Sequence, residues 1–256
     1  MSLFILYFLI FIIPSNQIDE SKTLIIFFSR AGENYAVGKV DKGNTEMIVD
    51  YITQVTKIKS FKIIPETEYP EDYSQTVEIA RNEKSSNARP KIKDPLTNID
   101  NYDTILLGYP IWHTDLPNIV MTQLELLNFE GKTIYPFNTH EGSGKGNSIN
   151  DIKNIVPNAV VKDGFDLRGQ NARKEESRTD IEKWLKEDLK LQINQNSPGS
   201  SNTTDTNTTQ PGNSTQSGNT TQTNSTEDEE INRIPRNNNS KIINISMLLL
   251  ILIFII

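Results

Sequence analysis

Five short apolar runs, each separated from the next by a stretch of helical periodicity, confine this chain to few architectures. The runs are Leu24-Ile25-Ile26-Phe27-Phe28, Phe61-Lys62-Ile63-Ile64, Thr104-Ile105-Leu106-Leu107-Gly108-Tyr109, residues 132–137, and one that starts at Ala159-Val160-Val161. They are too short for helices, rich in β-formers, and apolar without alternation, as strands buried on both faces are. Pro65 is expected to stop the second. Residues 45–57 carry Met47, Ile48, Tyr51, Ile52 and Val55 at helical spacing, and residues 71–85 place Tyr73, Val77 and Ala80 inward. Residues 117–127 open on a proline near the first turn, where its missing N–H costs least. Residues 147–156 and 172–191 complete the set, the last with Ile181, Trp184, Leu185 and Leu189 on one face. Strands alternating with helices predict an α/β fold, a parallel sheet covered on both faces.

Composition removes several kinds of chemistry. The chain has no cysteine, so disulfides, thiolate catalysis and cysteine-ligated metal centres are excluded. It has two histidines, His113 and His140, a poor supply for a histidine metal site. A formal net charge of −7 argues against a nucleic-acid partner.

In an open parallel sheet, ligands sit beyond the carboxyl ends of the strands. Three segments stand there. The first is Ser29-Arg30-Ala31-Gly32, with Gly43-Asn44-Thr45 following and opening a helix. Hydroxyls and backbone N–H groups at a helix N-terminus form an anion cradle, and Arg30 and Lys42 would add positive charge. An ordinary turn capped by Asn44 or Thr45 fits the same residues. The second is Tyr109-Pro110-Ile111-Trp112-His113, where Trp112 beside a proline bend is a stacking surface for a flat ring, or a core-packed side chain. The third is Thr139-His140-Glu141-Gly142-Ser143-Gly144, ending near Gly146. Its glycines suit backbone donors along a polar ring edge, or a mobile surface loop.

On these motifs the chain resembles the flavodoxin family. The resemblance lies in an S-R-x-G…G-N-T loop, a G-Y-P-I-W loop and a P-F-x-T-H-x-G-S-G loop. They stand here as Ser29-Arg30-Ala31-Gly32…Gly43-Asn44-Thr45, Gly108-Tyr109-Pro110-Ile111-Trp112 and Pro136-Phe137-Asn138-Thr139-His140-Glu141-Gly142-Ser143-Gly144. It covers residues 22–191. It implies a flavodoxin-like three-layer sandwich with a five-stranded parallel sheet in the order 2-1-3-4-5. It also implies non-covalent FMN and electron transfer with a redox partner protein or NAD(P)H. The implied cofactor-binding residues are Ser29, Arg30, Gly32, Gly43, Asn44, Thr45, Pro110, Ile111, Trp112, His113, Thr139, His140, Gly142, Ser143 and Gly144. Two alternatives stand beside the electron carrier. One is an NAD(P)H-dependent FMN oxidoreductase of the quinone-reductase kind, although no G-x-G-x-x-G follows any strand. The other is a non-enzymatic surface protein that kept the fold. One departure from the family pattern is the length of residues 33–42, which separate the two halves of the first loop.

The ends of the chain read differently from its middle. Residues 3–13 are an unbroken apolar run, too short to span a bilayer and suited to a signal-peptide core; residues 1–17 are a signal peptide or an N-terminal anchor. Residues 21–192 form the flavodoxin-like domain. Residues 193–240 are Asn/Thr/Ser-rich with almost nothing apolar, which predicts a disordered stalk. All seven N-x-Ser/Thr sequons fall after residue 200, from Asn202 to Asn244. Residues 241–256 end in an apolar run that reads as a glycolipid-anchor signal or a plain hydrophobic anchor. A leader tips the reading towards the glycolipid, because such a signal acts only on a chain in the secretory lumen. The expected location is the secretory pathway, the cell surface or a membrane, with an intracellular membrane as the alternative. A phospholipase that cuts glycolipid anchors should release a glycosylated protein lacking residues 247–256 from intact cells. Retention of those residues in a membrane-bound mature protein would make the tail a hydrophobic anchor.

Overall fold

The computed structural model describes residues 18–193; the leader, the sequon-bearing stalk and the apolar tail lie outside the described residues. The elements are β1 (Thr23–Phe27), β2 (Gly32–Asn34), β3 (Gly38–Val40), α1 (Asn44–Thr56), β4 (Lys59–Lys62), β5 (Ile64–Pro65), α2 (Tyr73–Ser86) and β6 (Ile92–Lys93). They continue with β7 (Thr104–Pro110), α3 (Asn118–Glu125), β8 (Thr133–His140), α4 (Ser148–Ile155), β9 (Val160–Val161), β10 (Phe165–Arg168) and α5 (Glu176–Glu187). The main sheet is parallel and runs β4-β1-β7-β8, with β9 and β10 both on the outer edge of β8. This is the 2-1-3-4-5 order that the sequence implies.

The non-alternating strands are buried on both faces, and the two faces hold separate cores. Leu24, Ile26, Phe28, Ile105 and Leu107 pack under Ile119, Val120 and Leu124 of α3 and Ile152 of α4. Ile25, Phe27, Leu106 and Phe137 pack under Ile48, Val49 and Ile52 of α1 and Ile181, Trp184 and Leu185 of α5. Each fully buried Ile or Leu contributes about 1.5–3 kcal/mol relative to exposure. These central positions therefore set the register of the whole sheet.

Several local features differ from the sequence reading. The fifth strand is in two pieces. The carbonyls of Lys132 and Ile134 accept from the N–H groups of Val160 and Lys162, so Pro136, two residues on, faces the same edge. It has no N–H to give, and the pairing lapses until Phe165 meets Phe137. Pro65 does not end the chain's extended course. Ile64 and Pro65 form a short antiparallel pair with β6. Tyr73 is not inward. It is 39% exposed, and the buried positions of α2 are Thr76 and Ala80. The final helix begins at Glu176, because Gly169–Asn171 forms a 3-10 turn ahead of it.

The long first loop is also structured. Residues 32–40 fold as the β2–β3 hairpin, turned at Ala36 with φ +65°. Arg30 holds it in place. Its guanidinium donates to the carbonyls of Glu33, Pro70, Glu71 and Asp72. Glu33 N donates to Glu71 O at 2.7 Å, Glu33 Oε2 accepts from Tyr73 N, and Lys39 pairs with Glu71 at 2.6 Å. Replacing Arg30 by Met leaves those carbonyls without their charged donor. Stability should fall by about 1–3 kcal/mol, and amide exchange should rise in residues 32–40 and 70–72 before the sheet opens. Unchanged exchange there would mean that the hairpin stands without the arginine.

Candidate functional site

The three predicted loops meet in one cleft of about 210 Å³ at the carboxyl edge of the sheet. Ten of the fifteen predicted residues line it: Ser29, Arg30, Asn44, Thr45, Pro110, Ile111, Trp112, His113, Thr139 and His140. Gly32, Gly43, Gly142, Ser143 and Gly144 do not.

One end of the cleft is the first turn of α1. Gly43 is its N-cap and makes no side-chain cap, so neither Asn44 nor Thr45 serves that role. The cap comes from the preceding loop, where Ser29 Oγ accepts from Glu46 N at 3.1 Å. That leaves the Ser29 hydroxyl proton free to be donated. The N–H groups of Asn44 and Thr45 have no acceptor among the described residues. Gly43 is needed for contact rather than for the ligand. A Cβ there would overlap Ser29 Oγ and the Arg30 carbonyl. Thr45 Oγ1 lies 2.8 Å from Thr139 Oγ1, both buried, and this pair joins the first loop to the third. Arg30 lines the cleft, but its donors are spent on the carbonyls named above, so it is not a free cation for an anion. Lys42 is paired with Asp50. The cation at this end is Arg173, from the turn before α5, which donates to Asn44 Oδ1 and Lys42 O. It has no carboxylate partner among the described residues. Nothing in its local sequence marks it, because only the packing of α5 beside α1 brings it there.

The second loop is held rigidly. Trp112 and Asp115 exchange backbone hydrogen bonds at 3.2 and 2.9 Å. Between them His113 and Thr114 take φ +47° and +69°. Two left-handed non-glycine residues cost about 1–2 kcal/mol each. Three bonds offset this: His113 Nε2 donates to Val77 O at 2.9 Å, Lys84 Nζ to His113 O at 2.8 Å, and Lys84 pairs with Asp115 at 2.7 Å. Burial works to raise the Asp115 pKa, but the hydrogen bonds from Lys84 and Asn147 outweigh it and hold the carboxyl below its usual range. Trp112 is half-buried. It meets Phe28 and Tyr69 edge-on, at centroid distances of 5.3 and 4.9 Å, and it also lines the cleft. The two sequence readings of this residue, stacking surface and core packing, both describe part of it.

The third loop differs most from its reading. Gly142 N donates to His140 Nδ1 at 2.9 Å, and His140 Nε2 faces Asp166 at 3.1 Å. Because Nδ1 accepts, the ring proton sits on Nε2 and is donated to Asp166. The Gly144 carbonyl accepts from buried Asn138. A Cβ on Gly146 would overlap the Thr114 carbonyl, so this glycine is a packing contact between the third and second loops. Gly146 therefore packs the loop against its neighbour, while Gly144 has open space around it. Glu141 does line the cleft, with Oε1 accepting from Gln170 N at 2.9 Å.

The remaining wall comes from elements that no motif announced. Tyr73, Thr76, Val77 and Ala80 of α2 line the cleft, with Asn34 and Tyr35 of the hairpin and Gly169. Tyr35 is 62% exposed and leans on Tyr73 at 6.0 Å. The helical spacing of Tyr73, Val77 and Ala80 was visible in the sequence, but a stripe facing a cleft and a stripe facing a core have the same period. Among the described residues, no cluster of His, Asp or Glu could hold a metal ion, and no helix is long and apolar enough to cross a membrane.

With donors at one end and a flat aromatic wall beyond them, the cleft suits a ligand that joins an anionic group to a planar ring. The chain is similar to a candidate flavoprotein from Bacteroides uniformis ATCC 8492, with 26% identity and a TM-score of 0.51 over 65% of this chain and 98% of that one. It is similar to another from Bacteroides eggerthii DSM 20697, with 28% identity and a TM-score of 0.51 over 67% and 99% of the two chains. A flavoprotein from Lactobacillus acidophilus NCFM, solved in complex with FMN, is 21% identical with a TM-score of 0.44 over 60% and 97%. No curated protein sequence matches the chain. Residues 22–188 match the flavodoxin family, and the chain belongs to it.

Proposed function

We propose that this protein binds FMN in the cleft and carries electrons for a redox partner. The observation that carries the reading is the convergence of Ser29, Thr45, Trp112 and Thr139 on one cleft at the carboxyl edge of the sheet. The donor set fits the cofactor. The N–H groups of Asn44 and Thr45 and the Ser29 hydroxyl would hold the phosphate, with the α1 dipole behind them and Arg173 beside them. Trp112 would hold the isoalloxazine by one face. Bound FMN supplies the chemistry, taking up and releasing one or two electrons.

The protein's own part is positioning and charge. The Trp112 wall is fixed by the second-loop bonds, so binding orders little that is not already ordered. Glu141 places a carboxylate in the cleft lining, which disfavours a negative charge added to the ring. Asp115 contributes less than its position suggests, because Lys84 pairs with it. The leader run, the sequons and the apolar tail support a cell-surface placement, on sequence alone.

The test is the visible spectrum of the intact purified protein. Flavin bands, with FMN released on denaturation, are the expected result, and a colourless protein that does not take up added FMN would overturn the reading. Steady NAD(P)H consumption without a partner reductase would make the protein an oxidoreductase instead. Ser29→Ala should weaken FMN about ten-fold or more, the weight of a hydrogen bond to a charged group, and leave riboflavin nearly unchanged. Equal losses would remove Ser29 from the phosphate site. Glu141→Gln should raise the midpoint potential of the bound flavin, and a fixed potential would mean that this carboxylate is screened from the ring.

A further inference from the structure

Behind Trp112 lies a chain of groups that the proposed function does not use. Tyr69 packs edge-on against the indole at 4.9 Å, an ordinary aromatic contact in distance and angle. Its hydroxyl sits 3.0 Å from both carboxylate oxygens of Glu83. Glu83 and Trp112 in turn line a second cavity of about 230 Å³, together with Lys84 and Asp115. The sequence therefore runs from the cleft to Trp112, to Tyr69, to Glu83 and to the second cavity.

We propose that Trp112, Tyr69 and Glu83 form a one-electron relay that drains oxidising equivalents from the cleft wall. The steps balance. A one-electron oxidant in the cleft, such as a light-excited flavin ring, takes one electron from Trp112 and is reduced by one electron. Tyr69 returns one electron to the indole, and its phenolic proton passes to a carboxylate oxygen of Glu83. Trp112 is restored, the oxidising equivalent rests on Tyr69 as a neutral radical, and Glu83 holds the proton beside the second cavity. A phenol loses an electron readily only if its proton can leave in the same step. Burial and the neighbouring Glu83 raise the Tyr69 pKa, so the phenol keeps its proton until an electron leaves it. Burial also raises the Glu83 pKa, against the opposing pull of its bond to Tyr69, which makes this carboxylate a better proton acceptor than an exposed one. A purely structural Tyr–Glu bond would need neither the indole in contact nor a second cavity at the carboxylate.

The relay needs no cofactor to be tested, so its failure and that of the FMN reading are separable. Azidyl radicals generated by pulse radiolysis oxidise tryptophan selectively. In the flavin-free full-length protein, with Trp184→Phe removing the other tryptophan, the Trp112 radical signal should decay as a tyrosyl signal rises, independently of protein concentration. Tyr69→Phe should abolish that fast conversion and prolong the tryptophan radical. Glu83→Gln should slow it about ten-fold or more, since the proton loses its charged acceptor, and transfer in the parent protein should be slower in D2O. Under repeated oxidation, Tyr69→Phe should accumulate oxidised Trp112 faster than the parent, read by peptide mass spectrometry. Should Trp184→Phe fail to fold, the difference between parent and Tyr69→Phe traces isolates the same step. A tryptophan radical whose decay is identical with and without Tyr69 would overturn the proposal, and so would a conversion indifferent to Glu83→Gln and to D2O.

Discussion

The burial of Ile25, Ile26, Ile105, Leu106 and Leu107 on both faces of the sheet is the constraint from which the rest follows. A strand with no solvent face needs helices on both sides. A chain that places a helix after every strand returns each time to start the next strand in the same direction. All the strand-to-helix loops then open at one edge. The cleft is the space between those loops, and no residue in it had to be brought there by a special device. The two cores hold α1 and α5 on one face and α3 and α4 on the other, so the first turn of α1, the Trp112 turn and the end of β8 are placed by packing before any ligand is considered.

Much of this was legible because period and motif agreed. The apolar runs gave the strands, the resemblance implied their order, and ten predicted residues do line the cleft. What was missed shares one cause. Sequence pattern shows which residue types are present but not which atoms are already taken. Arg30 looks like an anion ligand until its donors are seen on four backbone carbonyls. Gly142 and Gly146 look alike in the sequence, and only the fold puts Gly142 N on His140 and Gly146 against Thr114. Pro136 broke the fifth strand at a position where only the direction of neighbouring carbonyls reveals that its N–H was needed. Tyr35 and Tyr73 reach the cleft, and Arg173 reaches Asn44 at its end, through packing between elements far apart in the sequence, which no local window contains.

The charges of the site follow the same division. Both acidic groups near the second and third loops would oppose an anionic ring if read as bare charges. In the structure Asp115 is half of an ion pair that holds the Trp112 turn, and its low pKa belongs to that bond. Its contribution to folding is present at neutral pH and fades as the pH falls through that lowered value, when the proton displaces Lys84. Among the described residues Glu141 accepts from the backbone N–H of Gln170, and it lines the cleft. One carboxylate is thus structural and the other electrostatic, and the positive charge at the opposite end belongs to Arg173 rather than to the two basic residues of the first loop.

Trp112 joins these threads. An aromatic wall that only faced a ligand would be free to turn away from it, and one that only packed in the core would offer no surface. Here two edge-on contacts fix the ring plane, and two left-handed residues, held by α2 through Val77 and Lys84, fix the backbone that carries it. The strain at His113 and Thr114 is offset by bonds from a helix that itself lines the cleft. The wall and its neighbour are therefore one rigid unit, and a loosened α2 would move the indole as well as the stripe of Thr76, Val77 and Ala80. The stability of the second loop and the shape of the cleft are set by the same few bonds.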